Sequence, residues 1–194
     1  MSQSLTGTAW SAFTAKGKTE KRRGRKPGPE WEAPLLVSKA QMAVAAVIIV
    51  SDSHAVMTSG SPFSAANAAY NGYLLAKGVR NYLITRRSAQ EAPLREFLGA
   101  DAPANDNLLT PNQSLSNSYN LASHSLKANA VGALGVSVMD TYETGRLFAP
   151  GLALTGLLAT FNWSMSKRCS DISKAFGPPR MPSLTGKLPP PKLD

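Results

Sequence analysis

Side chains that catalysis and metal binding rely on are scarce in this sequence. A single cysteine, Cys169, excludes an internal disulfide and a zinc site built from cysteines. The two histidines, His54 and His124, have no second ligand at metal-binding spacing. Neither a Gly-x-Ser-x-Gly nucleophile motif nor a glycine-rich phosphate loop followed by Lys-Ser/Thr occurs. We therefore expect a protein that is not an enzyme and that uses no metal and no cofactor.

Acidic residues are also few, and the surplus positive charge lies at the two ends. The formal net charge is +9 over 194 residues. Residues 1–27 contain seven basic residues and one acidic residue, and residues 166–194 contain six basic and two acidic residues. The segment between them, 28–165, is nearly neutral. This layout predicts a body with two cationic arms that docks into something larger and anionic.

The hydrophobic fraction of 43% is ordinary, but much of it is alanine, which buries little area. The pattern indicates a mainly α fold, a small Ala-rich bundle of four or five helices. We expect an extended basic arm over 1–33, a helical body over 34–177 and a Pro-rich extended tail over 178–194.

Local signals predict where the first helices lie. The apolar run 35–50 is interpreted as a helix. Ser61-Pro62 has the residues of an N-cap and a first helical position, and the helix that follows is expected to reach about Arg87. Its amphipathic face is predicted to carry Phe63, Ala66, Tyr70, Tyr73, Leu74 and Lys77. A separate short helix is expected from Ala92-Pro93 to Gly99.

Two further helices have clear boundaries. Thr110 and Gln113 have the spacing of a capping box, and Gly145 is a plausible stop. Pro150 and Gly177 bracket the last helix. One stripe of that helix holds its large apolar side chains, namely Leu154, Leu158, Phe161, Met165, Cys169, Ile172 and Phe176. A second stripe, Gly151, Thr155 and Ala159, is predicted to let another helix approach closely, within the chain or in an oligomer.

The most basic run is the candidate nucleic-acid contact. It contains Lys21, Arg22, Arg23, Arg25 and Lys26. Arg23-Gly24-Arg25 near Pro27 resembles the AT-hook family, in which Arg-Gly-Arg lies in the DNA minor groove. Lys26 separates Arg25 from Pro27, which departs from the family's Arg-Gly-Arg-Pro core. The expected partner is nucleic-acid phosphate bound without sequence preference, with steep salt dependence.

Two apolar runs, 34–50 and 147–163, are each about 17 residues long, the lower limit for crossing a bilayer. If both crossed, the two cationic arms would lie on the same side, as the positive-inside bias prefers. The alternative is that both runs are buried helices of a soluble α-bundle.

Three functions fit these features. The leading hypothesis is a non-catalytic structural subunit of a nucleic-acid-containing assembly, a phage-type virion protein of the inner core or head interior, located inside the virion. Its arms would contact DNA or neighbouring subunits in a homo- or hetero-oligomer. The first alternative is an accessory two-helix subunit of an organellar or bacterial membrane complex. The second is a small DNA-binding regulator that uses the Arg-Gly-Arg run.

Overall fold

A computed structural model describes residues 28–98, 108–144 and 150–180. Within these ranges the chain forms four long α-helices and no strand, which confirms the mainly α bundle. A short 3-10 helix at Pro29–Trp31 comes first. The helices are α1 at Glu32–Ser59, α2 at Pro62–Leu98, α3 at Pro111–Thr144 and α4 at Pro150–Ala175.

The helix ends follow the local chemistry of the sequence. Gly60 ends α1 in the left-handed region at φ +66, and its amide donates to the Val56 carbonyl at 2.9 Å. The Ser64 amide donates to the Ser61 hydroxyl at 3.3 Å, so Ser61 caps α2 as predicted. Gly177, at φ +105, follows the last turn of α4. Glycine suits both positions because it adopts positive φ without a steric penalty.

The predicted capping box opens α3. The Thr110 amide donates to the Gln113 side-chain oxygen at 3.0 Å, and the Gln113 amide donates to the Thr110 hydroxyl at 3.2 Å. Both donors would otherwise lack an intrahelical partner. The predicted separate helix at 92–99 was wrong, because α2 continues unbroken through Pro93 to Leu98. Proline removes one backbone hydrogen bond, and the rest of this 37-residue helix tolerates that loss.

Three helices form the centre of the bundle. Each of α1, α2 and α3 packs against the other two, and α4 packs against α3. Interhelical hydrogen bonds join Ser38 of α1 to Ser118 of α3, and Thr85 of α2 to Ser114 of α3. The helices α1 and α3 therefore run in one direction, and α2 and α4 run in the other.

The chain enters and leaves the described body at the same end. Gly28 and Trp31 directly precede α1, and Trp31 is buried. The carbonyl of Arg180 accepts a hydrogen bond from the side-chain amide of Asn117, near the start of α3. Because α1 and α3 begin at this end, the two basic segments attach to the body side by side. We call this end of the bundle the arm end and the opposite end, at Gly60, the far end.

Candidate functional site: a polar interior and an apolar exterior

The interior of the bundle is built largely from small polar side chains. Among the described residues, buried polar side chains outnumber buried apolar ones by 16 to 11, and four of the latter are alanine. In water-soluble bundles, by contrast, large apolar side chains fill the positions between helices. The polarity of this interior is therefore the unusual feature of the bundle.

One layer of hydrogen bonds joins all three central helices. The Asn81 amide nitrogen donates to the hydroxyls of Ser38, at 3.3 Å, and Ser118, at 3.0 Å. The same two hydroxyls lie 2.7 Å apart. The Asn81 amide oxygen accepts from the Asn117 side chain at 3.0 Å. Asn81 thus contacts both neighbouring helices, and it is 1% exposed.

A second polar contact links α1 and α2 nearer the far end. The Asn67 amide donates to a carboxylate oxygen of Asp52 at 2.7 Å. The Asn71 amide donates to the Asn67 side-chain oxygen at 3.1 Å and to its carbonyl at 3.0 Å. The one acidic side chain in this part of α1 is therefore held by a buried amide rather than by a cation.

Eight of the ten buried positions described on α2 recur alternately every three and four residues, and the other two are Ile84 and Ala89. This is the spacing of a helix that packs along one seam with its neighbours. The seam consists of Ser64, Asn67, Asn71, Leu74, Gly78, Asn81, Thr85 and Ser88, all of them buried. Leu74 is its only large apolar member, so this seam offers little apolar area to bury.

The contact between α3 and α4 repeats every seven residues. The hydroxyls of Ser116 and Ser173 lie 3.1 Å apart, as do those of Ser123 and Ser166. The Ser173 hydroxyl also donates to the Ser116 carbonyl at 2.8 Å, and Ser166 donates to the Ser123 carbonyl at 2.9 Å. The same antiparallel register places buried Ala130 opposite buried Ala159. Such small side chains let two helix backbones approach closely.

Large apolar side chains lie mostly on the outside. Among the described residues, 21 large hydrophobic side chains are exposed, and 7 larger than alanine are buried. The exposed side chains occur on all four helices rather than in one patch. Examples are Val47 and Met57 of α1, Phe63 and Tyr70 of α2, Leu134 and Val138 of α3, and Leu154, Leu157 and Phe161 of α4. In a water-soluble bundle most large apolar side chains would instead face the interior between the helices.

The predicted apolar faces therefore point away from the interior. On α2, Phe63, Tyr70 and Tyr73 are exposed, and of the apolar residues assigned to that face only Leu74 is buried. On α4, the large apolar stripe is exposed at Leu154, Leu158, Phe161, Ile172 and Phe176. These apolar stripes do not form the core of the bundle. The helices pack through their small polar stripes instead.

Charged residues are almost absent from the part of the bundle nearer the far end. Two charged side chains, Asp52 and Lys127, occur in the helical segments there. At about 1.5 Å per residue, these segments are roughly 22 to 30 Å long. We call them together the apolar belt, which comprises 40–59 of α1, 62–76 of α2, 123–139 of α3 and 150–166 of α4.

The arm end is strongly basic. The helical residues between the belt and the arms hold nine basic and five acidic residues, and both basic arms attach beside them. The opposite flank, residues 140–144 at the end of α3, holds two acidic residues and no basic one. The belt thus separates a cationic side from a slightly anionic side.

Only some of the sequence-predicted site residues lie within the described ranges. The candidate nucleic-acid contacts Lys21, Arg22, Arg23, Arg25 and Lys26 lie outside them. In the small-residue stripe of α4, Ala159 is 4% exposed and Thr155 is half-buried, and nothing is described around Gly151. No cluster of three metal-binding side chains occurs among the described residues.

Cys169, the lone thiol, is half-buried on the arm side of the belt. Burial raises the pKa of this thiol above its ordinary value. A raised pKa keeps the thiol protonated at neutral pH, and a protonated thiol is a poor nucleophile. Cys169 therefore has the properties of a packing residue.

By length and overall composition, one helical stretch in the described ranges, Pro29–Ser59, could cross a bilayer. The hydropathy of a helix averaged over all its sides hides a difference between those sides. In α2, α3 and α4 the Ser and Asn residues of the seams lower that average, although the outward sides are apolar.

No family model, curated protein or solved structure matches the chain.

Proposed function

We propose that this chain is a non-catalytic structural subunit whose four-helix body is embedded in a lipid bilayer. Its two basic arms lie together on one side, where they contact anionic partners. The observation that supports this proposal is the reversed polarity of the body, with Ser and Asn in the seams and large apolar side chains on the outside of every helix.

The energetics of helix packing favour hydrocarbon over water as the surroundings. In water, burial of apolar area supplies most of the stability of a bundle, at about 25 cal/mol per Å². The seams of this bundle bury little such area. In a bilayer, helices associate instead through close packing of small residues and through interhelical hydrogen bonds, each worth about 0.6 to 2 kcal/mol. The seams between α1, α2, α3 and α4 have this composition.

The height and flanks of the belt also fit a bilayer. The hydrocarbon core is about 30 Å thick, and a crossing helix needs about 17 to 25 residues. The belt segments are close to that length. Basic residues concentrate on the arm side, as they do on the cytoplasmic side of membrane proteins. Tyr142, which is 85% exposed, lies three residues beyond the belt on the other side, where aromatic anchors are common.

This proposal extends the two-helix alternative to four helices. The main partners of α1 are α2 and α3, and the main partner of α4 is α3. A hairpin made of the runs 34–50 and 147–163 would leave the seam of α2 without a neighbour in the membrane. The four helices are therefore proposed to enter the bilayer as one unit.

Alkaline extraction of membranes from cells that express the full-length chain tests the embedding. We expect the chain to stay in the membrane pellet, because alkali strips proteins held by charge and leaves those held by hydrocarbon. A peripheral membrane protein in the same extract should be released. Release of the chain together with that control would contradict the proposal.

A second proposal concerns the partner of the arms, for which the basic run Lys21–Lys26 is the supporting observation. In a virion inner-core protein, a membrane-embedded body with DNA-contacting arms would combine both features in one subunit. An accessory subunit of an organellar or bacterial membrane complex would use the same arms on anionic headgroups or protein neighbours.

Deletion of residues 16–27 distinguishes these partners. Reconstituted in neutral lipid, the full chain should bind duplex DNA with an affinity that falls steeply between 50 and 200 mM salt, because each phosphate contact releases counterions. The deletion should remove most of that binding and leave membrane retention unchanged. Equal DNA binding by both forms would contradict a role of this run in nucleic-acid contact.

A further inference from the structure

A groove on the outside of the belt separates α2 from α3. Its volume is about 380 Å³. Exposed Phe63 and Tyr70 line one wall, and exposed Val131 lines the other. Gly132 lies at the floor, where a Cβ atom would approach the Asn67 side chain to 3.1 Å. The absence of a side chain at Gly132 therefore helps to keep the groove open.

The arm-side end of this groove is cationic. His124 and Lys127 belong to its lining, and Lys77 lies close enough to interact electrostatically with His124, as Lys127 does. The Lys127 ammonium lies 5.0 Å from the ring centroid of Trp163, and the Lys77 ammonium lies 4.8 Å from that of Tyr73. Aromatic faces hold both ammonium groups beside the groove. No carboxylate is among the residues that line it.

We infer that this groove binds an anionic lipid, with the phosphate at Lys77, His124 and Lys127 and one acyl chain along the apolar walls. The inference rests on the proposed embedding of the body in a bilayer. Charge complementarity selects the headgroup, since the ammonium groups of Lys77 and Lys127 lie beside His124 where the apolar walls end. Basic pockets between membrane helices bind acidic headgroups for the same reason.

The dimensions agree with one leaflet. From Lys77 towards the far end, the groove side of α2 passes Tyr73 and Tyr70 and reaches Asn67 after ten residues, about 15 Å. Half of a hydrocarbon core is also about 15 Å. A lipid of the arm-side leaflet, with its phosphate at Lys77, would therefore lay its chain along the groove. This is the leaflet on the side where the basic residues of the body concentrate.

Short-chain soluble lipids test the site without a bilayer. The full chain in an uncharged detergent is titrated with dihexanoyl phosphatidylglycerol, dihexanoyl phosphatidylcholine or inorganic phosphate, and bound lipid is counted by native mass spectrometry. We expect phosphatidylglycerol to bind at least tenfold more tightly than phosphatidylcholine. Inorganic phosphate should not compete at equal concentration, because it leaves the apolar walls uncovered.

Variants separate the site from general attraction to a basic protein. The double variant Lys77→Gln with Lys127→Gln should lose about tenfold in affinity for phosphatidylglycerol. Ala66→Trp, at an exposed position in the groove wall, should weaken binding of both lipids because the indole fills the groove. Lys39→Gln is the matched control, since the Lys39 ammonium also lies over an aromatic ring, 5.9 Å from the centroid of Tyr82, but outside the groove.

The outcomes distinguish this inference from the embedding on which it rests. The lipid site would be overturned if Lys39→Gln lost as much affinity for phosphatidylglycerol as the double variant. It would also be overturned if both lipids bound equally well. Either result would hold even if the chain stays in alkali-treated membranes. Release from membranes together with selective binding of short-chain phosphatidylglycerol would contradict the embedding and leave the groove as a site for an anionic amphiphile. Competition by duplex DNA alone would reassign Lys77, His124 and Lys127 to nucleic-acid phosphate.

Discussion

Replacing one outward valine in the belt by arginine should destabilise the embedded body severely. Val47 is 68% exposed and lies near the middle of the α1 belt segment. Leu36, on the same helix, has the same exposed fraction of 68%, but it lies 11 residues nearer the arm end, a distance of about 16 Å. Val47→Arg and Leu36→Arg therefore introduce the same charge at equal exposure and at two depths.

The expected cost differs sharply between the two positions. Arginine in the middle of a membrane helix costs about 2.5 to 3.5 kcal/mol, whereas valine contributes about −0.3 to −0.6 kcal/mol. The change at Val47 should therefore cost about 3 to 4 kcal/mol. Leu36 lies about 20 Å from the middle of the belt, beyond the half-thickness of about 15 Å, so an arginine there reaches headgroups at little cost.

Urea titration of the chain in liposomes, followed by helical circular dichroism, measures this difference. The free energy of unfolding falls by about 1 to 3 kcal/mol per molar urea, so Val47→Arg should lower the urea concentration at the midpoint by at least about 1 M. Leu36→Arg should stay close to wild type. In water, both would be surface substitutions worth within about 0.5 kcal/mol. Equal midpoints for the two variants would refute the reasoning that the belt faces hydrocarbon.

Three further experiments test the seams and the lone thiol. Gly78→Ala should lower the free energy of unfolding, because its Cβ would clash with the side chain of Gln41. Gly72→Ala has open space around it and should raise the free energy of unfolding by up to about 1 kcal/mol in the same titration. Equal effects of the two substitutions would argue against close packing of α1 on α2. Asn81→Ala should cost about 1 to 3 kcal/mol because it leaves buried polar partners unpaired, and a neutral result would contradict the hydrogen-bonded layer. Cys169 should react with maleimide more slowly than glutathione does at pH 7, and its reaction rate should rise as the pH approaches the raised pKa of the thiol. Equal reaction rates of Cys169 and glutathione at pH 7 would contradict the burial of the thiol.

Helix boundaries were the most predictable part of the fold, because they depend on local chemistry. The Thr110–Gln113 box and the glycine after α4 act within a few residues, and both are present as predicted. The length of α2 was less predictable. A helix break at Pro93 depends on whether neighbouring turns tolerate one lost hydrogen bond, and that is decided by the rest of the helix.

The direction in which each helix faces could not be predicted from apolar periodicity alone. An apolar stripe marks the buried side of a helix only when water surrounds the bundle, and the apolar stripe of α4 is exposed. The informative signal was the spacing of small polar residues. Ser116 and Ser123 are seven residues apart, as are Ser166 and Ser173, and these four residues form the seam between α3 and α4. A repeat of serine at heptad spacing indicates a packing face when the opposite sides of the helices are apolar.

The most direct test of the membrane-embedded body is photolabelling with a lipid that carries a diazirine on its acyl chain. After reconstitution and illumination, mass spectrometry identifies the labelled residues. The proposed embedding predicts label at outward belt positions on all four helices, such as Val47, Tyr70, Leu134 and Leu157. It predicts none at Ala45 or Asn71, which lie in the belt but are buried between helices. Label confined to α1, or label absent from the belt, would contradict a four-helix body whose exterior faces lipid.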